Sequence, residues 1–158
     1  MKRIICMICT LLIISCLICS CGGNEDGGNE YKLVYKNTTL KVGDAFKVDK
    51  IGTPNKVMEK EGCAGVGAER EYIFDGISIY TYETKNGEII TWISLTDDSI
   101  STPENIKVGD SKDDMESAYG EALSYDNESV AVCRSGNTKL AFELRDGYIV
   151  KIQYSAVK

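Results

Sequence analysis

Seven cysteines stand at positions 6, 9, 16, 19, 21, 63 and 133, and five of them precede residue 22. Thiols this dense can bind a metal, form disulfides or carry a covalent attachment. Cys6-Met-Ile-Cys9 and Cys16-Leu-Ile-Cys19 are C-x-x-C pairs, but the short segment between them falls well below the roughly 15–20 residues of ribbon-type zinc sites. The chain contains no histidine. Ser-His-Asp and Cys-His hydrolases and His-based zinc enzymes therefore cannot be assembled from it.

The residues around these cysteines decide among the three chemistries. Residues 4 to 18, IICMICTLLIISCLI, are apolar apart from Thr10 and Ser15 and follow Met-Lys-Arg. A basic start, an apolar run and a small residue before a polar switch make a secretory signal peptide. As a helix the run would span about 22 Å, short of the roughly 30 Å hydrocarbon core. Its end, Ile18-Cys19-Ser20-Cys21, resembles a bacterial lipobox, with an aliphatic residue at −3, a small one at −1 and the cysteine that becomes the new N-terminus. That resemblance implies a diacylglyceryl group on Cys21 and cleavage before it. Two acyl chains hold a protein to a membrane where one gives only marginal binding. Ile13-Ile14-Ser15-Cys16 is a rival box, and an ordinary cleaved signal or a retained anchor is the alternative. Residues 22 to 30, GGNEDGGNE, lack any apolar side chain and read as a flexible linker reaching roughly 15–18 Å.

The rest of the chain must supply the folded body. Of its 158 residues 43% are hydrophobic and 27% charged, a globular balance, and the formal charge of −6 argues against nucleic acid. Lys41-Val42-Gly43-Asp44 recurs as Lys107-Val108-Gly109-Asp110, and YTYETKNG at 80–87 parallels LAFELRDG at 140–147. Each motif is followed by a helix-like segment. In the second, Ser111 and Asp114 form a capping-box pattern, Met115, Ala118 and Tyr119 share a face, and Gly120 ends it. In the first, Asp44 is the cap, Val48 and Ile51 share a face, and Gly52 with Pro54 stops the chain. β-rich runs follow at 69–74, 77–83, 88–95, 130–135, 138–144 and 148–155, separated by Asp75-Gly76, Asn86-Gly87 and Asp146-Gly147.

These segments predict an α+β fold of two tandem repeats, each a short helix followed by an antiparallel β-meander. The divisions are 1–20 signal peptide, 21–30 linker, 31–105 first repeat and 106–158 second repeat, with TDDSISTPENI at 96–106 as the joint. IKVGDSKDDMESAYGEAL resembles the tandem-repeat lipoproteins common in Firmicutes, which are similar in fold to the beta-lactamase inhibitor protein and to the small BamE/OmlA outer-membrane-assembly lipoproteins. The resemblance implies helix-and-meander repeats at the cell surface and protein–protein contact.

Two sets of residues remain as candidates. Cys63 and Cys133 occupy comparable places in the repeats, and outside the membrane a bridge between them would stabilise by roughly 4 kcal/mol on the chain-entropy model. Two free buried thiols, or a reactive redox pair, are the alternatives. Tyr72, Tyr80, Tyr82 and Trp92 lie on adjacent predicted strands and could form an exposed partner-binding face, or they could be core. The acid clusters Asp97-Asp98 and Asp113-Asp114-Glu116 lack calcium-loop spacing, so neither a metal nor a cofactor is expected. The composite expectation is a lipid-anchored protein on the extracytoplasmic face of the cell membrane, a non-enzymatic module that binds a protein partner. A small envelope enzyme using carboxylates or the cysteine pair, or a purely structural envelope protein, is the alternative.

Overall fold

The structure, a computed structural model, describes residues 30 to 61 and 67 to 157, with Glu61 described by its backbone alone. The signal peptide, Cys21 and the linker up to residue 29 lie outside the described residues, as does Cys63.

Among the described residues, ten strands and one α-helix make up the body. A small hairpin of β1 (Leu33–Tyr35) and β2 (Thr38–Leu40) comes first. Four consecutive strands follow: β3 (Lys56–Glu61), β4 (Ala68–Phe74), β5 (Ile77–Thr84) and β6 (Gly87–Leu95). After α1 (Lys112–Tyr119) come β7 (Leu123–Asn127), β8 (Val130–Ser135), β9 (Thr138–Arg145) and β10 (Tyr148–Ala156). The eight long strands form one antiparallel sheet in the order β3-β4-β5-β6-β10-β9-β8-β7. Two four-stranded meanders are thus fused through β6 and β10, with Ile93 opposite Tyr154 and Leu95 opposite Ile152.

The expected α+β plan of two helix-plus-meander repeats is overturned. Among the described residues the molecule is mostly β, the one α-helix lies in the second half, and the eight long strands form one continuous sheet. Where the first helix was expected, only a three-residue 3-10 turn forms at Val48–Lys50, with no side-chain cap. The reason is local. Residues 43 to 46 are drawn into pairing with β6, through Gly43 N to Ile90 O (2.8 Å), Ile90 N to Asp44 O (2.9 Å) and Phe46 N to Glu88 O (2.8 Å). Too few residues then remain before Gly52 and Pro54 for a helix to nucleate. The second motif makes the matching contacts, Gly109 N to Ile149 O (2.8 Å) and Ile149 N to Asp110 O (2.9 Å). There Ser111 accepts from Asp114 N (3.1 Å), and its own N–H donates to the Asp114 carboxylate, so a helix starts at once. It buries Met115 and Tyr119 and leaves Ala118 exposed, contrary to the expected face.

Both motif contacts sit beside a bulge. The β5–β6 register shifts at Thr91, and the β9–β10 register shifts at Val150. One extra residue in each strand lets Ile90 and Ile93, and likewise Ile149 and Ile152, all face the same core. That core lies on one side of the sheet under the hairpin, α1 and the loop that joins the halves. Phe46 packs on Tyr72 (ring centroids 4.7 Å) and Tyr119 on Phe142 (5.0 Å). The joining loop is pinned down by Tyr119, whose hydroxyl bonds Thr102 Oγ1 at 2.8 Å and Glu104 at 2.7 Å.

Glycine is needed at two kinds of place. Gly109 holds φ +94° with open space where a Cβ would stand, whereas at Gly76, φ +74°, a Cβ would run into the Ser99 and Asp97 side chains. Replacing Gly109 by Ala should therefore cost only backbone strain, about 1–2 kcal/mol. Gly76→Ala should cost that plus overpacking of about 1–3 kcal/mol. Urea denaturation of both variants checks the order, and equal midpoints would show that the turn at Gly76 yields freely.

Candidate binding face

Among the described residues, the opposite side of the sheet carries neither helix nor hairpin. Strand alternation sends Ile77 and Ile79 to the core and Ser78, Tyr80 and Tyr82 to this open face. The register then lines up Met58 on β3, Glu71 on β4, Tyr80 on β5 and Trp92 on β6 as one row. Lys60, Glu69 and Tyr82 form the row beside it. The bulge at Thr91 brings Trp92 onto this face. Without the extra residue, the inward positions of Ile90 and Ile93 could not both be kept.

Tyr80 and Trp92 meet with ring centroids 4.6 Å apart and planes inclined at 57°. The Tyr80 hydroxyl donates to Glu71 Oε1 at 2.6 Å. Burial, then the neighbouring Glu71 carboxylate, pushes the Tyr80 phenol up to about 12. Together with Met58, Lys60, Glu69 and Tyr82 the pair lines a groove of about 360 Å³. Trp92 keeps 38% of its surface exposed and Met58 36%, so apolar and aromatic surface lies open to solvent there.

Beneath this groove, on the core side, Arg70 organises the end of the sheet. It reaches Glu59 (2.8 Å) on β3, Glu83 (3.3 Å) on β5 and Glu88 (2.7 Å) on β6. Glu88 also accepts from Tyr72 (2.9 Å) and Thr81 (2.7 Å). One guanidinium thus links four strands, and the surrounding carboxylates raise its pKa further.

Of the four aromatics considered from the sequence, Tyr80, Tyr82 and Trp92 share the open face. Tyr72 does not: it pairs with Ile79 in register, faces the core and is buried against Phe46. The disulfide considered between Cys63 and Cys133 falls partly outside the described residues. Cys133 is buried on β8 and has no disulfide partner among the described residues. Burial pushes its pKa up, the reverse of what activates a nucleophilic cysteine. Among the acid clusters, Asp97 accepts from Ser99 N (2.9 Å) and Ser99 Oγ, and Asp114 belongs to the helix cap. No group of three potential metal ligands occurs among the described residues. Met58, Glu69, Glu71 and Lys60 escaped the sequence reading. Their only signal is the period-2 pattern of KVMEKE and EREYIF, which becomes a site only when the register sets it beside Tyr80.

No family model matches the chain, and no curated protein matches it in sequence. Among solved structures it is similar to the uncharacterized protein yfeY from Escherichia coli, at 15% identity over 73% of this chain and 96% of that one, with a TM-score of 0.44. It is also similar to an extracellular protein containing a SCP domain from Bacillus anthracis, at 13% identity over 73% of this chain and 44% of that one, with a TM-score of 0.41. The chain thus spans less than half the length of the latter.

Tyr72 and Tyr80 both hold their protons to about 12 against an ordinary 10.0, through burial first and then Glu88 and Glu71 respectively. Their contribution to stability is whole below pH 10 and is lost as pH rises from there to about 12, because the unfolded chain ionises first. Urea midpoints should fall across that window, and the fall should be shallower in a Tyr72→Phe/Tyr80→Phe variant. An identical slope in the variant would remove these two phenols as its cause.

Proposed function

We propose that the protein is a lipid-anchored module on the extracytoplasmic face of a bacterial membrane, held by a diacylglyceryl group on Cys21, and that it binds a protein partner through the open face of its sheet. The observation that carries the binding reading is the aromatic pair of Tyr80 and Trp92. Aromatic side chains of this kind are abundant at protein interfaces. Here Trp92 is exposed and Tyr80 half-buried, the two rings pack on each other, and the Tyr80 hydroxyl is fixed by its bond to Glu71. A surface fixed before binding loses less entropy on association than a mobile one.

Anchoring is supported by the basic start, the apolar run and the lipobox-like Ile18-Cys19-Ser20-Cys21. The order of the fold accords with it. The N–H of Tyr31 donates to Thr138 Oγ1 at 2.7 Å, and Glu30 pairs with Lys41 at 2.8 Å, so the body is fastened where the Gly-rich linker ends. No helix among the described residues is long and apolar enough to cross a membrane.

Two experiments test the two halves of this reading. Intact-mass measurement of the membrane-extracted protein should give a chain beginning at Cys21 with two or more acyl groups, and an uncleaved N-terminus would refute the anchor. Crosslinking in live cells should recover a partner in stoichiometric amount. Trp92→Ala and Tyr80→Ala should each weaken that capture at least about tenfold, a 1.4 kcal/mol loss typical of interface anchors, with unchanged circular dichroism. Undiminished capture by both variants would remove the open face as the binding surface.

A further inference from the structure

We infer that the groove between Tyr80, Trp92 and Glu69 receives a lysine or arginine side chain, so that the segment of the partner docking there is basic. This rests on the protein-binding reading above and specifies its chemistry.

The first ground is what the rings have left to offer. The Tyr80 hydroxyl donates to Glu71 Oε1 at 2.6 Å, so the polar end of that ring is engaged within the protein. A ligand meets π faces, whose quadrupole attracts cations. The planes are inclined at 57°, forming a corner and not a flat platform. A compact cation on a long stem can touch both faces of a corner, while a flat ring would stack on only one.

The second ground is charge. On the groove's own face stand Glu69 and Glu71 against Lys60. Arg70 is spent on Glu59, Glu83 and Glu88 on the far side of the sheet. Among the described residues Glu69 makes no ion pair, although Lys60 stands opposite it in register. Among the described residues Glu71 accepts only the Tyr80 hydroxyl. Covering Glu69 with a neutral or acidic segment would strip its carboxylate of water without a counter-charge, a costly step that a cation reverses. Aromatic faces beside an unpaired carboxylate, in a chain of net charge −6, complement a basic ligand.

Trp92 is the sole tryptophan of the chain, so its fluorescence reports the groove alone. The full mature protein is titrated with four synthetic peptides of equal length: lysine- and arginine-rich, the same peptide with its lysines acetylated and arginines replaced by glutamine, a Gly/Ser peptide and an acidic one. The basic peptide should shift the emission saturably and bind less tightly as salt rises. The neutralised version should bind about tenfold or more weakly, as loss of a cation–π contact and an ion pair would give. Glu69→Gln should weaken the basic peptide severalfold with unchanged circular dichroism. Equal binding of the neutral or acidic peptides would overturn the inference while leaving the face a protein-binding surface. Silence of Trp92 towards every peptide, together with full cellular capture by Trp92→Ala, would overturn both. A response to choline-headgroup vesicles without one to the basic peptide would also overturn it.

Discussion

Two four-stranded meanders meet where β6 hydrogen-bonds β10, and each would be marginal alone. The seam places Ile93 against Tyr154 and Leu95 against Ile152, all of them wholly or almost wholly buried, so one core runs through both halves. Each seam strand is also gripped from the side by a K-V-G-D segment, at Ile90 in one half and Ile149 in the other. The grip occupies backbone groups that a regular neighbour would have used, and a bulge follows at Thr91 and at Val150. The short motif is thus a backbone device: glycine supplies the positive φ, and the carbonyl of the following aspartate receives the strand's N–H.

The two faces of the sheet follow from this arrangement. Bulges shift the alternation so that paired isoleucines serve the core, and the same shift brings Trp92 up beside Tyr80. Arg70, bonded across to β3, β5 and β6, stiffens the sheet end under the groove, so the aromatic corner stands on a braced support. Core and candidate binding surface are therefore products of one irregularity in β6, seen from its two sides.

Much of the strand content could be read in the sequence, because β4, β5, β6, β8, β9 and β10 carry hydrophobic runs bounded by turn dipeptides. The edge strands β3 and β7 could not: in Lys56–Glu61 and Leu123–Asn127 a few apolar residues sit among charged and polar ones without a clear alternation, as edges often show. The first helix failed because a pattern of caps and apolar spacing cannot reveal that its leading residues are claimed by a distant strand. Tyr72 failed for a related reason, since which face an aromatic takes depends on register, and register is tertiary. The clustering of Tyr80, Tyr82 and Trp92 was within reach because strand adjacency follows from short hairpins. Their carboxylate neighbours on β4 needed the full sheet order.

The charged edge at β3 has a bearing on life at a crowded surface. Extending a sheet across a two-fold axis sets residues of like orientation opposite one another. Centred on Met58, such pairing would oppose Lys56 to Lys60; centred on Glu59, it would oppose that carboxylate to its own copy. Copies of the protein that met along this rim would feel that repulsion, which makes head-on strand exchange costly. The same rim borders the aromatic corner, so what discourages polymerisation also keeps that corner uncovered.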